Sequence, residues 1–307
     1  MIPAIKIDHL SFQYGNGIEA LRDIDLEIAE GETVVFIGPN GAGKSTLLLL
    51  MRGLLAAPDG RIQIAGERLD GEKKVEEMAG KVGLVFQNPD DQLFCTTVFD
   101  DVAFGPVNMG LSQAEVTARV DRALGAVGLA GYESRVPYHL SGGEKRRVSL
   151  ATIYAMEPGI LLLDEPTSHL DPRARQEVIS LIHSFAGTKV IATHDFELIL
   201  KVADRVVLFH QGSIRADGSP IHILTDEDLL RENGMAMPLV VRYLMALHSG
   251  EHDGLHAHEH EHVYHYHTGE DDEGRRVVRH AHFHSHDDEK DHPHRHPDES
   301  GEFAAGE

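Results

Sequence analysis

Positive charge is what this chain lacks most. Its 307 residues carry 28 Lys and Arg against 50 Asp and Glu, a formal net charge of -22. Phosphate backbones are held by Lys/Arg patches, so this balance argues against nucleic acid as the main partner. Cysteine is nearly absent as well. Cys95 stands alone, which excludes a disulfide within the chain and suggests a reducing cytosol. Nor is there a long apolar run. None approaches the roughly 20 residues that span a bilayer, and residues 1–8 lack the layout of a signal peptide. The expectation is a chain soluble by itself, which works at a membrane only by docking onto something that spans. Its length leaves room for one large domain or two modest ones, with a sizeable core.

What the chain does have is a phosphate-binding pattern. Gly38, Pro39, Asn40, Gly41, Ala42, Gly43, Lys44, Ser45 and Thr46 follow the apolar run 33–37 and precede the apolar run 47–51. That is a strand, a glycine-rich turn and a helix start, in the order a polyphosphate site requires. Glycines let successive backbone N–H groups converge on one anion, and the helix N-terminus adds partial positive charge. In such a loop the lysine, here Lys44, reaches the β- and γ-phosphates, and the Ser45 hydroxyl ligates Mg²⁺. The pattern identifies nucleoside triphosphate binding and leaves its purpose open.

Around this loop, strands and helices alternate. Residues 2–37 show the period of two of short strands, with turns at 15–17 and 30–32. Tyr14 stands at a turn edge, where its ring suits either stacking on a purine or half-burial in a sheet. Residues 58–60 read as a turn before a strand over 61–66. Residues 82–87 read as a buried strand with Gln87 at its C-terminal end, where parallel sheets gather ligand groups. Ser112 with Glu115 marks the N-terminus of a helix over 112–130. Leu140-Ser141-Gly142-Gly143-Glu144 introduces a further helix, rich in Lys145, Arg146 and Arg147. The apolar strand 160–163 finishes in Asp164 and Glu165. Buried strands do not end in two carboxylates unless those groups meet a cation or do chemistry. A helix over 172–186, strands over 189–194 and 206–209, and short helices over 226–233 and 239–247 complete the series. The alternation predicts a mainly parallel sheet.

Taken together, these motifs resemble the ATP-binding subunit of ABC transporters over residues 4 to about 222. After the phosphate loop come Gln87, Leu140-Ser141-Gly142-Gly143-Glu144, Asp164-Glu165, Ser168-His169-Leu170-Asp171 and His194, in that order. Leu-Ser-Gly-Gly is the discriminating piece, because a lone phosphate loop fits many unrelated NTPases. The resemblance implies an α/β P-loop NTPase core with a parallel sheet, an N-terminal antiparallel β subdomain, and a helical signature subdomain over about 88–155. It implies a nucleotide-binding domain over 1–224 and a helical extension over 225–248, while a shift to histidine and acidic residues marks off a separate tail over 249–307. It further implies a head-to-tail dimer, with a second copy or a paralogous ATPase, that sandwiches ATP. Ser141, Gly142 and Gly143, at a helix start, would grip the γ-phosphate bound by the partner. Asp164, Ser45 and Gln87 would hold Mg²⁺, and Glu165 would polarise the attacking water. His194 would contact the γ-phosphate, Tyr14 would stack on adenine, and Asp171 would lie along the dimer seam. His169 stands where the family often has glycine.

Residues 85–94 and 100–106 are similar to those of the ATPases of energy-coupling-factor transporters. Such proteins import vitamins or transition metals through a membrane T-subunit and a substrate-binding S-component, from the cytoplasmic face of the membrane. There the segment after Gln87 forms part of the groove that receives the T-subunit, which makes Asp91, Gln92, Leu93 and Phe94 partner-contact candidates. Non-transport relatives fit less well. Repair types insert a long coiled coil where this chain has only residues 47–139, and ribosome types carry two nucleotide domains per chain.

The tail lies outside the resemblance. Of 22 histidines, fifteen fall between His248 and His296, and from Ser249 onward 16 Asp and Glu face 5 Lys and Arg. His256, His258, His260 and His262 alternate with other residues; His265 and His267 follow, then His280, His282, His284 and His286, and last His292, His294 and His296. Imidazole and carboxylate without thiolate suit Ni²⁺, Co²⁺ and Zn²⁺ and disfavour Cu(I). The composition predicts a disordered acidic tail, while the spacing of two also admits a hairpin pairing 263–267 with 276–284. Both conformations predict binding of divalent metal that weakens as pH falls through about 6.5. Joined to the resemblance, the tail points to nickel or cobalt import. A vitamin importer with an incidental tail is the alternative.

Overall fold

The computed structural model describes residues 2–56, 59–69, 78, 80–239 and 241–243, together with the backbone of 255–265 and 275–285. The chain divides into two units, Met1–Val241 and Arg242–Glu307.

The first unit is built on two sheets. Strands β1 (Ile5–Gln13), β2 (Glu19–Ile28), β4 (Asp59–Ile64) and β5 (Glu67–Arg68) form an antiparallel sheet in the order β2-β1-β4-β5. The second sheet has six strands in the order β10-β9-β3-β8-β7-β6. It comprises β3 (Thr33–Ile37), β6 (Val82–Val85), β7 (Ile160–Asp164), β8 (Thr188–Ala192), β9 (Arg205–His210) and β10 (Ser213–Gly218). All its pairings are parallel except β9 with β10. Strand β3 is buried on both faces, as a continuous apolar run in a parallel sheet should be. Its odd residues, Val35 and Ile37, join a core shared with the helices. Its even residues, Val34 and Phe36, face the core shared with helix α1 (Lys44–Arg52) and the antiparallel sheet.

Helices α2 (Val98–Asn108), α3 (Gln113–Ala126) and α4 (Gly142–Tyr154) make the helical subdomain. The capping box at Ser112 and Glu115 is present, although α3 stops at Ala126, short of 130. Helices α5 (Pro172–Ser184) and α6 (Phe196–Val202) flank β8 in sequence. Two short helices, α7 (Pro220–Thr225) and α8 (Glu227–Glu232), set Leu224 and Leu230 into the same core as Val35 and Ile37. Of the helix expected over 239–247, residues 240 and 244–247 lie outside the described residues. Among the described residues no helix is long and apolar enough to cross a membrane.

Two details of the antiparallel sheet follow from its pairing. Asp59 and Gly60 belong to β4 rather than to a turn, because pairing with β1 continues as far as Asp59 opposite Ser11. Strand β1 runs through His9, where the register with β2 shifts and φ is 49°. The irregularity is held by side chains. The His9 backbone N–H donates to Asp25 Oδ1 at 2.8 Å, and its Nδ1 lies 2.9 Å from Asp23 Oδ1. The hydrogen bond to Asp23 and the charge of Asp25 raise the His9 pKa above its ordinary 6.5. An NMR titration is expected to show this midpoint, and Asp23→Asn is expected to bring it down. An unchanged midpoint would mean the Asp23 contact is absent in solution.

In the second unit, β11 (Leu255–His265) pairs antiparallel with β12 (Arg275–Ser285). The pairing takes in the whole of both segments, from Leu255 opposite Ser285 to His265 opposite Arg275, and so is longer than the 263–267 with 276–284 match. Two strands alone are marginal in water. His267, His286, His292, His294 and His296 lie outside the described residues.

Candidate active site

The carboxyl ends of β3, β6, β7 and β8 open along one edge of the sheet, the place where α/β folds bind ligands. A cleft of about 630 Å³ lies there, lined by Tyr14, the loop residues Asn40–Thr46, Gln87, Asp164, Glu165, Ser168 and His194. The loop's shape demands glycine at two positions. Gly38 has φ 138°, and a Cβ there would stand 2.0 Å from the Phe209 carbonyl oxygen; Gly43 has φ 104°, and a Cβ would stand 2.5 Å from the Ala20 carbonyl oxygen.

Lys44 is buried, and its ammonium donates to the Gly38 and Pro39 carbonyls at 2.6 and 3.0 Å. Burial lowers its pKa, with the Glu165 and Asp164 charges opposing. A desolvated cation in a glycine-rich loop at a helix N-terminus is complementary to a polyphosphate. Lys44→Ala is expected to weaken ATP binding by at least about tenfold, the equivalent of one charge-assisted hydrogen bond. Titration with ATP measures it, and unchanged affinity would remove Lys44 from the site.

Asp164 ends β7 beside the loop. Burial raises its pKa, opposed first by a hydrogen bond from Ser45 and then by the charges of Lys44 and Arg146. Hydroxyl and carboxylate oxygens meeting next to a phosphate site fit a hard cation such as Mg²⁺, which when bound neutralises charge on the phosphates. Glu165 follows in an unusual backbone conformation, φ 42°, pinned by its N–H donating to the Ala192 carbonyl at 2.8 Å. Its carboxylate accepts from Thr193 Oγ1 at 3.2 Å and from the His194 N–H at 3.4 Å. His194 Nε2 lies 3.6 Å from Glu165 Oε1. Burial pushes Glu165 above its ordinary 4.5, while burial and then the Lys44 charge push His194 down from 6.5. His194 is therefore mostly neutral at pH 7, and burial makes the Glu165 carboxylate a stronger base than a free one. Tyr14 is half-buried; its ring meets Phe12 edge to face, and its hydroxyl lies 3.0 Å from Thr46 Oγ1.

The signature segment sits elsewhere. Ser141 caps α4 in a capping box with Glu144, whose carboxylate accepts from the Ser141 N–H and from the Tyr132 hydroxyl, each at 2.8 Å. Ser141, Gly142 and Gly143 do not line the cleft of their own chain, and Ser141 and Gly142 are exposed. Asp171 caps α5, accepting from the Arg173 and Ala174 N–H groups at 2.9 Å. His169 holds φ 60°, a left-handed backbone that explains why glycine suits this position.

Two groups of residues escaped the sequence reading. Arg146 of α4 is 1% exposed and donates to the Phe86 and Gln87 carbonyls at 2.6 and 2.5 Å. It ties the signature helix to the segment that carries Gln87 into the cleft. Arg175 donates Nε to Asp195 at 2.7 Å, and Asp195 caps α6, fixing the turn that carries His194. A run of three basic residues on a helix gives no sign which one is buried.

Beside α2 runs an apolar groove of about 510 Å³, lined among others by Leu54, Phe86, Phe94, Phe104 and Met109. Of the four partner-contact candidates, Phe94 is exposed and packs edge to face on Phe104. Gln92 is spent internally, donating to the Ser149 carbonyl and to Thr152 Oγ1 at 2.9 and 2.7 Å. Leu93 packs against the core, and Asp91 remains exposed.

A family model described as ABC transporter matches residues 21–168. The energy-coupling factor transporter ATP-binding protein EcfA of Methanothermobacter thermautotrophicus is 47% identical over 238 residues, 76% of this chain and 76% of its own. The chain belongs to the ABC transporter ATP-binding proteins, of the energy-coupling-factor type. It is an ATPase of that family. Another relative, the cobalt import ATP-binding protein CbiO of Rhodobacter capsulatus, is 44% identical over 245 residues, 78% of this chain and 88% of its own. Among solved ABC ATPases, cbiO1 of Clostridium perfringens, part of the transporter complex cbiONQ, superposes with a TM-score of 0.68 at 34% identity, over 80% of this chain and 100% of that one. The cassette MJ0796, solved as a dimer in a post-hydrolysis state with ADP and Pi, gives 0.65 at 27% identity, over 70% of this chain and 98% of that one. The parallel sheet, the antiparallel β subdomain and the helical subdomain are this family's ABC ATPase fold.

Proposed function

We propose that this ABC ATPase energises import of nickel or cobalt ions through an energy-coupling-factor transporter. The observation that carries the substrate is the joining of an ATPase of this type to a tail holding fourteen of 22 histidines. A relative whose name is cobalt import ATP-binding protein agrees with it. The chain docks at the cytoplasmic face of the membrane on a T-subunit, with an S-component supplying the substrate site. Phe94, Phe104 and the apolar groove around them receive the T-subunit, with the exposed Asp91 as a further contact.

Two ATPase subunits, identical or paralogous, close head to tail. Tyr14 stacks on adenine, the loop from Gly38 to Thr46 holds the phosphates, and Ser141, Gly142 and Gly143 of each subunit complete the partner's site. Exposure of Ser141 and Gly142 outside their own cleft supports this arrangement. Ser45, Asp164 and Gln87 hold Mg²⁺. Glu165 accepts a hydrogen bond from the attacking water, and His194 contacts the γ-phosphate. Asp171 lies along the seam, and the tail binds divalent metal.

Co-purification tests the assembly. The chain, expressed with its membrane partners, is expected to bring down a T-subunit and a metal-selective S-component. Recovery with a vitamin-selective S-component instead would overturn the substrate assignment.

A further inference from the structure

We infer that the strand pair 255–265 and 275–285 is a metal-binding ribbon whose sites are opposed histidine pairs, so that register rather than histidine count sets its capacity. The inference rests on the tail's role as a divalent-metal binder and names how that binder is built. The register places His256 opposite His284, His258 opposite His282 and His260 opposite His280. Strand residues two apart share a face, so these six residues form three successive rungs on one face. Directly opposed residues have Cβ atoms about 4.5–5.5 Å apart, a separation that lets two imidazoles meet on one ion. The next position pairs His262 with Val278, which ends the series at three. Glu259 and Glu261 fall on the other face, opposite Ala281 and Arg279. The ligand set of the rungs is therefore imidazole, suited to Ni²⁺, Co²⁺ or Zn²⁺.

An ion that bridges two strands binds the paired form better than the unpaired one, so it stabilises a ribbon that is marginal by itself. Metal binding and ribbon formation are then one equilibrium. Register matters because a slip of two residues would set His258 against His284 instead of His282. With Val263 opposite Val277, the observed register matches β-branched residues at the end nearest the connection, a favourable cross-strand pair.

The test uses the full-length protein and Ni²⁺ in equilibrium dialysis at about pH 7.5, where imidazoles are mostly neutral. Two double variants each remove two histidines. His258→Ala with His282→Ala empties one rung, whereas His258→Ala with His284→Ala empties two. The first is expected to lose one of the three rung ions and the second two. Equal losses would overturn the rungs in favour of a plain count of imidazoles, and a larger loss in the first would overturn the register. Failure of the parent chain to bind Ni²⁺ better than free histidine would instead remove the metal-binding tail itself. Amide exchange over 255–265 and 275–285 is expected to slow when Ni²⁺ is added. Unchanged exchange with metal bound would overturn the coupling of binding to pairing.

Discussion

Glu165→Gln is expected to reduce steady-state ATP hydrolysis by at least about a hundred-fold, the scale of losing a positioned base, while ATP binding persists. The glutamine keeps the shape of the side chain and its contacts with Thr193 and His194, and loses the basic oxygen. In the proposed arrangement ATP is held by the loop and Lys44, which the substitution leaves alone. The same burial that raises the Glu165 pKa gives two further signs. In the parent, hydrolysis should fall as pH drops through a value above the ordinary 4.5, because protonation removes the base. A carboxyl whose pKa is raised on folding binds its proton more tightly in the folded state, so its contribution favours folding at low pH and is lost as pH rises through the folded value. At pH above the folded value the ionised group opposes folding, and there Glu165→Gln is expected to raise the melting temperature. Undiminished turnover, or a variant melting well below the parent, would contradict the role.

Arg146→Ala is expected to cost on the order of 3 kcal/mol of stability, since it leaves the Phe86 and Gln87 carbonyls without their donor and opens a cavity. Burial holds the guanidinium down to about 10, with Asp164 opposing, and it is still charged at neutral pH. Hydrolysis should fall as well, because Gln87 loses the contact that fixes its backbone. Arg146→Lys should recover only part of both, for an ammonium on a single stem does not present the planar fork that spans two carbonyls. Chemical denaturation and ATPase rates check this. A loss below about 1 kcal/mol in Arg146→Ala would show that the two carbonyls find other donors.

Motifs that carry their own chemistry were legible in the sequence. The run from Gly38 to Thr46 dictates a strand, a loop and a helix, and Asp164-Glu165 at the end of an apolar strand dictates a buried cation or a reaction. The capping box at Ser112 is equally local and appears as written. What sequence reading missed depends on contacts distant along the chain. Nothing near residue 33 tells that β3 leaves the antiparallel meander to sit between β8 and β9 in the other sheet. Arg146 and Arg147 look alike until the fold buries the first against Phe86 and Gln87. Gln92 read as a partner-contact candidate, with nothing to show that its amide is also held by Ser149 and Thr152, 57 and 60 residues away. The tail is the opposite case. Its spacing of two was plain, but only the register shows which histidines stand opposite one another.

Uptake of labelled nickel and cobalt, by cells expressing the transporter with this chain or with its Glu165→Gln variant, tests the central claim most directly. Accumulation of either metal that depends on Glu165 is the expected result. Glu165-dependent accumulation of a vitamin, with neither metal carried, would contradict it.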